Sequence, residues 1–418
     1  MYGLAAHAQQ DSTGSGNARD AERAPVVADF LLRDGTWLSG ALLRVDASSI
    51  TIGDSGAASP RVIPSSSVVG GTVSTAMSQR GVSPWIDARD RGPFLELSTG
   101  DGLPGEAKLA KDQAVWIHPW LGSIRLDTGS IARVRFEWDG DIARTDDADS
   151  VLLKNGDVTR GFVESLGSEI SIAPVDADDR GGIQSIPSDR VAAIAFARVG
   201  EAADPAPTMW FEDGTVLRVG SMAFDPAAGW TFAILDQGLA TNRADLLARA
   251  SATAETRVPP EPVEIMLDTA SFAPLASHGA PQVTAPADTF RYDASRAVRV
   301  ERAGRAPLGT ARIAIDGPCR AVFAGAKDAR RGRPVFSCEV VRPHRAQTGS
   351  RVSVRISVDG SVTEPIVLDA SEARAAVRVE GPLGGEGRIT IEVGDGGDGI
   401  VGDAVVLERA VIVWSDQS

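Results

Sequence analysis

The chain has few of the residues on which catalysis usually depends. Its 418 residues include two cysteines and four histidines, and His7, His118, His278 and His344 lie too far apart in sequence for a local metal motif. No HExxH, paired CxxC, GxSxG or GxxxxGK[ST] sequence is present, which removes the local signatures of zinc peptidases, zinc ribbons, serine hydrolases and phosphate-binding loops. Helix-favouring Leu, Lys, Gln and Glu are sparse, and no apolar run reaches the roughly 20 residues that span a bilayer. Positive charge is also in deficit: 42 Lys+Arg stand against 56 Asp+Glu, a net charge of -14 scattered along the chain. Such a surface repels a phosphate backbone or an anionic membrane, so no nucleic-acid partner is expected, and the short apolar runs predict no membrane span.

What remains is the vocabulary of an all-β protein: short Val-, Ile- and Ala-rich runs cut by Asp-Gly, Asn-Gly and Gly-Gly pairs. At the start, MYGLAAHAQQ places Ala6-His7-Ala8, a small-x-small triplet, before a polar Ser/Gly-rich segment. That pattern reads as the tail of an export signal, with the precursor starting upstream of Met1, cleavage after Ala8 and a disordered lead over residues 1–28. An extracytoplasmic location follows, periplasmic, cell-surface or secreted; an ordinary disordered N-terminus is the alternative. Cys319 and Cys338 flank an Arg/Gly-rich turn at Ala329 to Gly332. If the flanking strands pair as a hairpin, the two residues form either a disulfide or a pair of buried thiols.

An internal repeat organises the first 250 residues. FLLRDGTWLSGALLRVDASSITI from Phe30 and SVLLKNGDVTRGFVESLGSEISI from Ser150 share an apolar strand, an Asp-Gly or Asn-Gly turn, a second strand with a central Gly, and an alternating third strand. PFLELSTGDGLPGEAKL from Pro93 and MWFEDGTVLRVGSMAF from Met209 follow the same plan, and IPSSSVVGGTV, LDTGSIARVRF and IPSDRVAAIAF end three copies alike. The spacing predicts small β units of about five strands over 29–75, 93–138, 150–200 and 208–256. Gly35, Gly156 and Gly214 are expected at positive φ in hairpin turns, and Gly40 and Gly161 where a strand bends to close a barrel. The phrase LLRDGTWLSGALLRVDASSITI resembles the first half of an Sm-like barrel. The residues with which that family grips RNA are replaced here by Ala47, Ser48 and Ser49 after Asp46, so the resemblance implies the barrel and not the RNA site. Trp37, Trp116, Trp120, Trp138, Trp210 and Trp230 fall in the repeats, as core and packing residues or, in WIHPW (Trp116 to Trp120), as a platform for a sugar ring.

The Pro-rich VPPEP at Val258 to Pro262 separates the repeats from a last domain at 263–418, where about eight alternating runs predict a β-sandwich. PVFSCEVV, GSRVSVRISVDGS, IVLDASEARAAVRVEG and GRITIEVGDGGDGIVGDAVVLERAVIV resemble, in that order, the NPCBM/NEW2 family of carbohydrate-binding modules, which implies a galactose-binding-like jelly roll and a glycan ligand. Of the family's Asp-His-Ala-Asp-Trp-Ala-Asp-Ala string the chain keeps Asp403 and Ala410, with Ala404, Val406 and Leu407 in place of His, the second Asp and Trp. The candidate ligand-binding set is Asp395, Asp398 and Asp403 as acceptors, Arg320 and Arg388 as donors, and Trp414 as platform. The same three aspartates could hold a structural Ca²⁺, with a solvated acidic turn as the alternative. No catalytic residue and no organic cofactor is expected. The sequence thus predicts an exported, non-catalytic carbohydrate-binding protein. A structural or adaptor protein of the cell envelope, contacting other envelope proteins, is the second reading. A hydrolase with a carboxylate pair from distant loops is the third.

Overall fold

A computed structural model describes residues 26–53, 59–75, 92–110, 113–126, 128–137, 142, 144–175, 182–197, 206–235, 262–285, 297–302, 308, 311–325, 332–343, 350–397 and 403–415. Among these residues the fold is all-β, with single 3₁₀ turns and no helix long and apolar enough to cross a membrane. The export signal expected at Met1 to Gln10 lies outside the described residues.

Four small units come first. Unit 1 is β1 (Val26–Leu32), β2 (Trp37–Val45), β3 (Ser49–Gly53), β4 (Arg61–Pro64) and β5 (Val68–Thr75). Unit 2 is β6 (Phe94–Leu97), β7 (Gly102–Pro104), β8 (Glu106–Ala110), β9 (Gln113–His118), β10 (Gly122–Arg125) and β11 (Ile131–Arg135). Unit 3 is β12 (Asp149–Leu153), β13 (Val158–Ser165), β14 (Glu169–Pro174), β15 (Gln184–Pro187) and β16 (Val191–Ala195). Unit 4 is β17 (Thr208–Phe211), β18 (Val216–Asp225), β19 (Gly229–Ile234) and β20 (Pro262–Met266).

In every unit the last strand returns to pair with the first in one common register: Phe30 faces Gly71, Leu95 faces Val134, Val151 faces Ile194 and Met209 faces Ile265. A bulge falls at the same place each time, leaving Val69, Ala132, Ala192 and Val263 as the extra residue. A bulge bends and twists its strand, which is what closing a short sheet into a barrel requires. The first hairpin turns alike as well: Gly35, Gly100, Gly156 and Gly214 have φ of 82, 95, 92 and 87°, a left-handed conformation that suits glycine. At the corner of the second strand, a Cβ on Gly40 would lie 2.4 Å from the Gly53 carbonyl oxygen, and one on Gly161 2.4 Å from that of Ala173.

The units then join in pairs, last strand to last strand. Gly71 of β5 faces Ile265 of β20, and Val134 of β11 faces Ile194 of β16. These are equivalent positions, so each pair has a local two-fold. Units 4 and 2 meet elsewhere, with Val216 of β18 opposite Gly102 of β7. Contacts therefore run in the order 1, 4, 2, 3. One boundary differs from expectation: the sequence places most of Pro262–Met266 in the last domain, yet this strand closes unit 4 and pairs with β5. VPPEP looks like a break because proline cannot donate to a ladder, but as the first residue of a strand it is tolerated.

The last domain contains β21 (Phe272–Pro274), β22 (Gln282–Thr284), β23 (Val298–Arg302), β24 (Ala311–Asp316), β25 (Cys319–Phe323) and β26 (Arg333–Val341), then β27 (Val352–Val358), β28 (Ser361–Val362), β29 (Ile366–Leu368), β30 (Arg374–Glu380), β31 (Ile389–Gly394) and β32 (Ala404–Ser415). One sheet runs β23-β24-β32-β26-β30 with β21 on β32, the other β22-β25-β31-β27-β28 with β29 on β27. From β24 to β27, and again from β30 to β32, successive strands alternate between sheets, the wiring of a jelly-roll sandwich. That wiring overturns the expected cysteine hairpin: Cys319 faces Val393 in the second sheet, whereas Cys338 faces Val377 in the first. Both thiols are free and buried, and burial pushes Cys319 up to about 11 and raises Cys338 as well.

The sandwich is docked on units 1 and 4. Along β32, Ile412 and Trp414 point into the sandwich core. The alternate residues Val411 and Val413 pack with Leu31, Val69, Met266, Phe272 and Leu308. Burial on both faces explains why AVIVW is almost continuously apolar. A bulge opposite Ser337 and Glu339 holds Arg409 at φ 55°. Its guanidinium lies 2.6 Å from Asp29 and 5.2 Å from the centre of the Trp37 ring. Arg33 bonds Asp268 at 2.5 Å, and Arg378 Nε donates to the Asp34 carbonyl at 2.6 Å.

Candidate glycan-facing surface

Because part of the first sheet's outer face lies against the barrels, the outer face of the second sheet is the broad polar surface of the sandwich. Alternation builds it: Ala321, Ile391, Val354 and Ile356 turn inward and are buried, so their neighbours turn out. Thr284, Arg320, Glu392 and Arg355 form one row across β22, β25, β31 and β27. Arg320 Nε is 3.4 Å from Glu392, and Arg355 Nη1 is 3.9 Å from its other oxygen. The next row is Gln282, Val322, Thr390, Ser357 and Val362. Guanidinium and hydroxyl donors thus surround one carboxylate acceptor, beside the exposed valines Val362 and Val367. Such a face can bond several hydroxyls at once, and no aromatic ring stands on it among the described residues.

Of the residues singled out from sequence, Arg320 alone belongs to this face. Arg388 precedes β31 and Asp395 follows it, so they lie at opposite ends of the strand, roughly 20 Å apart at the usual rise. Arg388 is exposed near Glu386, 3.9 Å away, and Asp395 sits in a turn where it accepts the Gly397 N–H at 3.1 Å. Asp398 lies outside the described residues. Asp403 and Trp414 are corrected outright, at 3% and 2% exposure. Trp414 faces inward because it alternates with Val413, so it offers no platform. Among the described residues no group of three His, Cys, Asp or Glu could hold a metal ion, and of the expected calcium set Asp395 lies in an exposed turn whereas Asp403 is buried. Glu392, Arg355 and Thr284 were missed. Their signal is a polar residue alternating with apolar ones in ITIEV, VSVRISV and QVT, visible only once the strand register is known.

The described tryptophans of the repeats are buried or half-buried in packing contacts. Trp116 is fully buried, and Trp230 packs on Phe224 with ring centres 5.0 Å apart. Trp120 lies 5.3 Å from Phe211 across the contact of units 2 and 4 and donates to Asp213 at 2.7 Å. Trp138 is outside the described residues. His118, in the same contact, accepts the Leu121 N–H at Nδ1 (3.1 Å), which leaves Nε2–H to donate to Thr215 Oγ1 (2.9 Å). Burial lowers its pKa to about 4.

A concavity of about 310 Å³ lies between units 1 and 4, with Arg33, Asp46, Ser65, Ser66, Met222 and Leu267 in its wall. Hydrogen bonds from Ser48 and Ser49 bring Asp46 down to about 2, and Arg33 is committed to Asp268. This wall lacks the paired cationic groups that hold a phosphate.

No family model and no curated protein matches the chain. Among solved structures it is similar to a CBM51 from Clostridium perfringens GH95 in complex with methyl-galactose, at 12% identity over 34% of this chain and all of that one, with a TM-score of 0.27. It is similar also to TmCBM61 in complex with beta-1,4-galactotriose, at 12% identity over 34% of this chain and 94% of that one, TM-score 0.22. A third is the M60 catalytic domain with the CBM51-1 and CBM51-2 domains of Clostridium perfringens ZmpB, at 11% identity and TM-score 0.27, where this chain spans 38% of the longer protein.

Proposed function

We propose that the chain is an extracytoplasmic, non-catalytic carbohydrate-binding protein that holds a glycan on the outer face of its second sandwich sheet. The observation that carries this reading is the row Thr284, Arg320, Glu392 and Arg355, which sets donors and an acceptor side by side on an open sheet. The ordered phrases resembling NPCBM/NEW2 support it independently. The row holds one carboxylate, whereas glycoside hydrolysis ordinarily needs two, so this face suits binding and not cleavage. Without an aromatic platform, affinity is expected in the millimolar to micromolar range. Titrating the full chain against a panel of neutral and acidic polysaccharides tests it, with Arg320→Ala and Glu392→Gln alongside. Weak binding that Arg320→Ala reduces about tenfold or more, and that Glu392→Gln reduces less for a neutral polysaccharide or improves for an acidic one, supports the reading.

A second reading is a scaffold of the envelope with no sugar ligand. The observation favouring it is the apolar seam of Leu31, Met266, Phe272, Val411 and Val413, with Arg409 across it, which fixes the sandwich to the barrels as a structural block. Absence of binding to every glycan by well-folded chain would select this reading.

A further inference from the structure

The row of units is built from two contacts that are each self-complementary, and among the described residues it ends with one of them unmet. Units 1 and 4, and units 2 and 3, join last strand to last strand. Units 4 and 2 join at the opening of the second strand, two residues past the turn glycine, where Val216 faces Gly102. There the backbone N–H of Arg218 donates to Asp101 Oδ1 at 2.6 Å, and Val216 is 3% exposed. In unit 1 the equivalent residue is Trp37, which lies under Arg409 of the sandwich. In unit 3 it is Val158, and Val158 is 53% exposed. Among the described residues, Val158, Thr159 and Arg160 pair with β12 on one edge, and pairing with β14 begins only at Gly161.

Unit 3 also carries both polar halves of the contact that units 2 and 4 share between them. The position of Asp101 is taken by Asp157, and that of Arg218 by Arg160. Two copies of unit 3, related by a two-fold at Val158, would set each Arg160 backbone N–H against the other's Asp157 carboxylate. The bond made once between units 2 and 4 would then be made twice. The Arg160 guanidinium can keep its ion pair with Asp147, at 2.7 Å, because the main chain does the pairing. An open strand edge is a template for another strand, and the Asp157 and Arg160 charges favour the antiparallel self-match over other strands.

We propose that the chain forms a two-fold homodimer through the β13 edge of unit 3, centred on Val158, which extends the row to eight units with a sandwich toward each end. This is independent of what the sandwich binds. The test is the mass of the full chain by light scattering from about 1 to 100 µM, a range in which a small edge contact should be half-dissociated. Wild type is expected to approach twice the chain mass at the upper end. Val158→Asp should stay monomeric with an unchanged melting temperature, since the residue is exposed. Val62→Asp, at another exposed valine, should dimerise as wild type does. Val158→Cys should form a reducible cross-linked dimer on oxidation, because a residue facing its own copy across antiparallel strands lies within disulfide reach. Wild type that remains monomeric at the highest concentration overturns the proposal. So does a Val158→Asp dimer, or cross-linking by Val62→Cys as readily as by Val158→Cys.

Discussion

The barrel array and the sandwich use similar strands in opposite ways. In the array most strands pair with their neighbours in sequence, β1 with β2 and β2 with β3, so turn residues reveal the pairing. In the sandwich, β25 pairs with β22 and β31 and skips β24 and β26 altogether. Local punctuation gives the strands there but not their partners. The array repeats one register four times, while the sandwich depends on contacts closed over long stretches of chain. Buried tryptophans test whether that difference governs how damage spreads. Trp116→Ala in unit 2 and Trp414→Ala in the sandwich each remove a fully buried ring, and each should cost about 3–5 kcal/mol. By hydrogen exchange, Trp116→Ala should expose units 2 and 4 first, whereas Trp414→Ala should loosen both sandwich sheets together. Equal loosening of all four units by Trp414→Ala would erase the distinction.

The same contrast explains what the sequence could show. The meanders, the turn glycines and the sandwich's strand-rich runs were legible because each rests on a short pattern. Turn Gly35 and corner Gly161 are cases where a backbone need selects the residue directly. The polar row on the second sheet was not legible, since Arg320, Glu392 and Arg355 come from strands separated by tens of residues. Asp403 and Trp414 differ from expectation for a related reason: a polar or aromatic residue near a loop reads as a site, yet Asp403, just before β32, is buried, and alternation along β32 turns Trp414 inward. Pro262–Met266 reads as part of the last domain because its role is set by β17 and β5, not by its neighbours in sequence.

The contact between units 2 and 4 should be the acid-sensitive part of the array. His118 has its folded pKa lowered from 6.5 to about 4, so between those values the unfolded chain binds the extra proton. Stability contributed by neutral His118 is therefore present above pH 6.5 and lost as pH falls toward 4, by at most about 3 kcal/mol at about 1.4 kcal/mol per unit. Asp101 in the same contact is pushed up by burial and acts in the opposite sense. Comparing wild type with His118→Gln isolates the histidine: the difference in unfolding free energy should narrow from pH 7 to pH 4. A gap that stays constant over that range would remove His118 as the cause.

The seam between array and sandwich should respond less. Arg409→Ala deletes the bond to Asp29 and the cation over Trp37, together about 1–2 kcal/mol. It leaves a non-glycine residue at φ 55°. Arg409→Gly makes the same deletion but relieves the left-handed backbone, which recovers up to about 1 kcal/mol. The glycine variant is therefore expected to melt above the alanine variant and below wild type by calorimetry. Alanine melting above glycine would mean that the bulge is not what constrains the residue.

The smallest effect on stability is expected at Arg320, and it is the one that separates the two readings of the protein. Arg320 and Glu392 are about half exposed and 3.4 Å apart, and exposed pairs of this kind contribute roughly 0–1 kcal/mol, less in salt. Arg320→Ala should thus leave chemical denaturation within about 1 kcal/mol of wild type. If the second sheet's outer face holds a glycan, the same substitution removes a planar donor from the centre of the row and should weaken binding about tenfold or more, which is about 1.4 kcal/mol in binding. A scaffold has no reason to show that divergence between folding and binding. Glu392→Gln sharpens the test, because it keeps the size and one acceptor while removing the charge: its loss should be smaller than that of Arg320→Ala for a neutral polysaccharide. For an acidic polysaccharide, Glu392→Gln should instead improve binding, since it lifts a like charge from the face. A ligand whose affinity is indifferent to both substitutions would show that the row is not its site.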